Sequence, residues 1–77
     1  MQMEIRIKLM GVLRDKTPEG GALQMSENGT IRDALEALEI PSEIAQTFTV
    51  NGQLSHDHSR VLSNSDELTV FPPVGGG

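Results

Sequence analysis

No cysteine occurs among the 77 residues, so the chain has no disulfide framework, no cysteine metal site and no thiol nucleophile. Aromatic side chains are nearly absent, Phe48 and Phe71 being the only two. Basic residues are scarce as well: six Lys and Arg stand against eleven Asp and Glu, a net charge of -5. A nucleic-acid surface needs a basic footprint, so that class is disfavoured. Long apolar runs are also missing. A polar residue stands at every second position from Gln2 to Lys8, where a secretory signal needs 7–15 uninterrupted apolar residues. No stretch approaches the ~20 residues that cross a bilayer. A cytoplasmic protein without membrane contact is the expectation, and the lack of cysteine agrees with it.

What remains is 8.3 kDa of globular composition, 36% hydrophobic and 22% charged. That is enough for one small domain. A core of this size contributes few kcal/mol, and no staple adds to it. It also leaves little room for an enclosed ligand site. The composition points to a small acidic module, monomeric by itself, that works with a partner.

Met3, Ile5, Ile7 and Leu9 alternate with polar residues, which predicts a strand with one buried face. Residues 10–16 lack a clear period, and Pro18 with Gly20-Gly21 marks a turn. A second short strand fits residues 22–25, with Leu23 and Met25 facing inward. Asn28-Gly29 ends it. Thr30 then predicts a helix N-cap, with Asp33 three residues on as a shortened capping box. Ile31, Ala34, Leu35 and Leu38 follow at i, i+3, i+4 and i+7, one face of a helix over residues 30–39. Pro41 disfavours helical geometry at Ile40 and is expected to stop it. Thr47–Val50 is β-branched or aromatic throughout, and Asn51-Gly52 predicts a type I′ hairpin. Gln53-Leu54 begins the return strand. Residues 55–59 are polar and loop-like, Val61-Leu62 makes a small apolar contact, and Asn64-Ser65-Asp66 turns the chain. Glu67–Phe71 is the last strand, with Leu68 and Val70 on one face and Glu67, Thr69 and Phe71 on the other.

Strand, strand, helix and two or three further strands make a two-layer α+β domain. The expected architecture is a mixed four- to five-stranded sheet with one principal helix, a ubiquitin-like β-grasp. Its first and last strands lie side by side in the sheet centre and run parallel. Leu35 and Leu38 should be buried over Ile5, Ile7, Val50, Leu68 and Val70. The domain spans residues 1–71, and residues 72–77 form a flexible C-terminal tail.

That tail reads Pro72-Pro73-Val74-Gly75-Gly76-Gly77. Composition alone leaves two readings about even, a loose end or cloning remnant and a functional segment. Placement favours the second. Two prolines begin where the strand ends and fix an extended exit, and three glycines then leave the chain thin. The six residues reach at most ~20 Å, a probe able to enter a narrow channel. The only reactive group there is the α-carboxyl of Gly77. It is ionised at neutral pH, with an ordinary pKa of about 3.3–3.7, and needs activation before it can accept a nucleophile. Glycine leaves its carbonyl open to approach.

The stretch from Val50-Asn51-Gly52-Gln53-Leu54 through Asp66-Glu67-Leu68-Thr69-Val70-Phe71-Pro72-Pro73-Val74 to the terminal glycines resembles the MoaD/ThiS family of sulfur-carrier proteins. Phe-Pro-Pro-Val before the glycines is more similar to the small subunit of molybdopterin synthase than to the thiamine carrier. The resemblance implies the β-grasp fold. It implies adenylation of Gly77, with Gly76 beside it, by a ubiquitin-activating-type enzyme that uses ATP. It also implies conversion to a thiocarboxylate, which donates sulfur to a biosynthetic intermediate such as that of molybdopterin. Gly75 departs from many relatives, which carry a bulkier residue there. Further implied partners are the molybdopterin synthase large subunit or another sulfur acceptor. The resemblance places Met10 and Leu54 on the open sheet face with Phe71 as a docking patch, and Arg14 matches a basic position beside it. The chain is expected to bind no cofactor and to supply no catalytic side chain.

Other constellations are weaker. His56, Asp57 and His58 lack the three or four ligands of a usual zinc site, and solvated loop histidines without metal are expected. The six serines have no base that the sequence pairs with them. Glu36, Glu39 and Glu43 form an acidic stripe, ordinarily a solvated face. Three functions stay open: a sulfur carrier, a protein modifier joined to lysines through Gly77 as in small archaeal modifiers, and a plain interaction module.

Overall fold

Alternation over Gln2–Leu9 builds strand β1, in which every odd residue from Met3 to Leu9 is buried and every even one exposed. The computed structural model describes residues 2–73. Strand β2 is Ala22–Ser26, helix α1 Ile31–Ala37, β3 Thr47–Val50, β4 Gln53–Ser55 and β5 Glu67–Phe71. The sheet order is β2-β1-β5-β3-β4. β1 and β5 pair in parallel, Ile7 opposite Leu68, and the other neighbours are antiparallel. The expected core is present: Leu35 and Leu38 join Ile5, Ile7, Val50, Leu68 and Val70 in one apolar cluster. No polar or charged residue is buried among the described residues.

The helix entry closes as the Thr30–Asp33 spacing predicts. The Thr30 hydroxyl accepts from the Asp33 N–H at 3.3 Å, and the Asp33 carboxylate accepts from the Thr30 N–H at 2.9 Å. The two N–H groups between them are taken by the loop after β4: Ile31 donates to the Arg60 carbonyl and Arg32 to the His58 carbonyl. All four free donors of the helix start are thereby satisfied.

The exit differs from the expectation. α1 stops at Ala37 with Leu38 as its cap, two residues before Glu39. Pro41 is not the cause. Glu39 adopts φ 60, and the Ile40 and Glu39 N–H groups return to the Leu35 and Glu36 carbonyls, closing a Schellman motif. Glycine is the usual residue at that left-handed position, and an L side chain there costs about 1–2 kcal/mol. Glu39→Gly is therefore expected to stabilise the domain by about 1 kcal/mol and raise Tm by about 4–8 °C. A thermal melt showing a lower Tm would mean that the Glu39 side chain holds something the backbone argument omits.

Residues 10–16, aperiodic in the sequence, form a 3-10 turn over Gly11–Lys16 whose Leu13 is inserted into the core. The hairpin at Asn51-Gly52 has positive φ at both residues, as a type I′ turn requires. The Asn51 side chain reaches across to β5, accepting from the Glu67 N–H and donating to the Asp66 carboxylate, both at 2.9 Å. This fixes where β5 begins.

Candidate functional site

One sheet face lies under α1, and the other carries the remaining half of each strand pattern. Across it, cross-strand neighbours form a row of Lys8, Thr69, Thr49 and Leu54. Four adjacent strands at about 4.8 Å spacing set Lys8 and Leu54 about 14 Å apart. The middle of the row is threonine, half-buried, so the face is flat there. Its two ends differ in character.

At the β4 end Leu54 is 64% exposed. Phe71 stands opposite Thr47 on β5 and points away from the helix-covered core, as its register predicts. A groove of about 630 Å³ opens between them, walled by Ile44, Thr47, Pro72 and Pro73, with Glu43 at its rim. Ile44 comes from the turn after Pro41, where its N–H donates to the Pro41 carbonyl. The sequence gives Ile44 no periodic signal, since the turn is too short to have one.

At the β1 end the side chains are basic. Four of the six cationic residues, Arg6, Lys8, Arg14 and Lys16, lie on β1 and the 3-10 turn after it. Met10 and Arg14 line a separate depression there, with Ile7, Lys8, Gly11 and Thr17. The structure thus brings Leu54 and Phe71 into one groove and sets Met10 and Arg14 in another. The two regions meet at the end of β5, where the Met10 N–H donates to the Val70 carbonyl at 3.1 Å. Gly75, Gly76 and Gly77 lie outside the described residues. Pro72 is half-buried and Pro73 exposed.

The histidines require a correction. His58 is not a solvated loop residue: it is half-buried, its Nε2 donates to the Ala45 carbonyl at 2.8 Å, and its ring meets Phe48 edge-on at 5.1 Å. His56 is exposed, yet its Nδ1 donates to the Gln46 carbonyl at 3.0 Å. A carbonyl can only accept, so each of those nitrogens carries a proton. Together they tie the loop after β4 to the turn before β3, a structural role that an apolar count along the loop does not reveal. No group of three or more His, Asp or Glu gathers into a metal site among the described residues. No helix among them is long and apolar enough to cross a membrane.

One helix on a mixed five-stranded sheet, with parallel first and last strands at its centre, defines a ubiquitin-like β-grasp domain. The chain belongs to the ThiS family, whose profile matches residues 7–77. No curated protein sequence matches it at a significant level. Solved structures share its fold. It is similar to small archaeal modifier protein 1 of Haloferax volcanii, with TM-score 0.71, 22% identity, and coverage of 94% of this chain and 99% of that one. It is similar to small archaeal modifier protein 1 of Methanosarcina acetivorans, with TM-score 0.65, 22% identity, and coverage of 100% and 99%. A chain in the complex of subunits 1 and 2 of the molybdopterin-converting factor from Helicobacter pylori aligns with TM-score 0.54 and 18% identity over 100% of both chains.

Proposed function

We propose that the chain is a sulfur carrier whose Gly77 carboxylate is activated by a partner and then loaded with sulfur. The observation that carries this reading is the apolar groove around Leu54 and Phe71, which runs directly into the Pro72-Pro73 exit toward the glycines. In the first step a carboxylate oxygen of Gly77 attacks the α-phosphate of ATP and pyrophosphate leaves. In the second, hydrosulfide supplied by the partner system attacks the Gly77 carbonyl carbon, AMP leaves with its oxygen, the S–H proton goes to solvent, and a thiocarboxylate remains. This chain contributes the docking face and a carbonyl without bulk, and the adenylating enzyme binds the ATP. The later acceptor belongs to molybdopterin biosynthesis or a related pathway. Fold similarity to a chain of the subunit 1–subunit 2 complex supports a large-subunit partner of that type.

Conjugation of Gly77 to lysines is the second reading, favoured by the likeness to small archaeal modifier proteins. Both readings share activation and docking and part only at the nucleophile. Intact-mass and peptide mass spectrometry of the protein from its native cell separates them. A terminal thiocarboxylate supports the carrier, glycine remnants on lysines support the modifier, and a free carboxyl under all growth conditions overturns both in favour of a plain interaction module.

The groove makes a prediction of its own. An aromatic anchor in an interface pocket is typically worth about 2 kcal/mol or more. Phe71→Ala is expected to weaken binding to the activating enzyme about thirtyfold or more while the domain still melts cooperatively. Calorimetric titration against that enzyme measures it, and an unfolded variant would place Phe71 in the core instead.

A further inference from the structure

Gly11 opens the 3-10 turn after β1 with φ +55, a left-handed conformation that favours glycine. Its α-carbon faces the ring of Pro72. A Cβ at this position would stand 2.9 Å from Pro72 Cγ and 3.6 Å from Cδ. Carbon atoms pack at about 3.5–4.0 Å, so one side must yield. A proline ring is closed onto its own backbone and cannot swing aside like the end of a long side chain.

The two sides are not equally held. Leu13, 2% exposed, anchors the 3-10 turn in the core. The Met10 N–H is bonded to the Val70 carbonyl, and the Leu13 N–H to the Met10 carbonyl. Past Phe71, neither Pro72 nor Pro73 has an N–H with which to extend the ladder. The seat on Gly11 is thus a packing contact that directs the chain where hydrogen bonding has stopped, and Pro72 is what a side chain at position 11 would move.

We infer that Gly11 is a positioning residue: its bare α-carbon seats the Pro72 ring and sets the direction in which the segment after β5 is offered to the activating partner. The inference rests on the activation of Gly77 proposed above, in either the carrier or the modifier form. Five residues follow Pro72 in the sequence, up to about 17 Å of chain. A change of heading of about 10° at Pro72 displaces the far end of such a segment by about 3 Å. Misplacement of about 1 Å at a reacting centre can cost on the order of a hundredfold in rate. With three residues of the lowest backbone restriction between Pro72 and the carboxylate in the sequence, the expected loss is smaller than for a rigid lever.

The test is pyrophosphate exchange with the cognate activating enzyme. Gly11→Ala is expected to lower kcat about tenfold, with KM within about threefold of the parent because Leu54 and Phe71 remain in place. Gly11→Asn should reproduce the loss at a parent-like Tm, since Asn tolerates positive φ but still carries a Cβ. The two residues must also be coupled. In a Pro72→Gly background, already slow, adding Gly11→Ala should change kcat by less than about twofold. An equal cost with and without Pro72→Gly, or unchanged kcat in Gly11→Ala, overturns the proposal. A rise in KM with kcat preserved overturns it too, since that would be a docking effect. NMR supplies a readout independent of activity. The parent should show a through-space contact between the Gly11 Hα and Pro72 Hγ protons that Gly11→Ala loses. A parent that no activating enzyme adenylates counts against the proposed function, and the seat then stands or falls on that contact alone.

Discussion

A chain lacking Gly76 and Gly77 is expected to lose ATP-dependent activation altogether and to melt at the same temperature as the parent. Every residue of the described core lies between Met3 and Val70, so removing the last two residues takes nothing from it. The chemistry has no such tolerance. Each residue removed draws the terminal carboxylate back by ~3.5 Å, where a misplacement of about 1 Å can already cost on the order of a hundredfold in rate. Gly76→Val should fail for a different reason, because a β-branched side chain stiffens the backbone and adds bulk beside the reacting carbonyl. Pyrophosphate exchange at matched concentrations of folded protein measures both. If the truncated chain is activated as well as the parent, Gly77 is not the reactive end, and carrier and modifier readings fall together.

Phe48→Ala is expected to leave the domain largely unfolded at 37 °C. Phe48 is fully buried on β3, is the largest side chain in the core, and supports the ring of His58. Truncating a buried Phe to Ala costs about 3–5 kcal/mol. A chain of 77 residues has a total stability of only about 4–12 kcal/mol at ordinary values per residue. The loss also removes the surface against which the loop after β4 is held, and that loop supplies two of the acceptors for the start of α1. Phe48→Leu keeps most of the volume and should cost less than about 1.5 kcal/mol. Urea unfolding followed by circular dichroism distinguishes these outcomes. A Phe48→Ala midpoint close to that of Phe48→Leu would show that the core closes over the gap.

The elements legible in the sequence are those with a local physical cause. β1 could be read because four charged or amide positions and four apolar ones strictly alternate, and the hairpin because Asn51-Gly52 suits two positive φ angles. The Thr30–Asp33 box marked the helix start to the residue. Its end was misplaced because Glu39 in a left-handed conformation has no sequence signature; only the Leu35–Ile40 closure reveals it. The 3-10 turn over Gly11–Lys16 was silent since one buried residue, Leu13, makes no period. Phe71 was placed correctly by strand register alone. Its neighbours in the groove, Ile44 above all, come from segments distant in the chain, and no spacing rule joins them. His58 was read as solvent-facing because polarity along a loop says nothing about a carbonyl waiting 13 residues earlier.

The parallel pairing of β1 with β5 also governs when the domain can form. The strand made first finds its central partner only when the strand made last has left the ribosome, so the sheet cannot be completed vectorially during synthesis. Contacts of such long sequence separation make for slow folding, with loop closure preceding any gain from pairing. A nascent chain interrupted anywhere before Phe71 lacks the strand that joins β1 to β3, and cellular proteases meet it unfolded. The fold is in this sense a proofreading device: a molecule that shows the groove around Leu54 and Phe71 has necessarily been translated to the very threshold of its glycines.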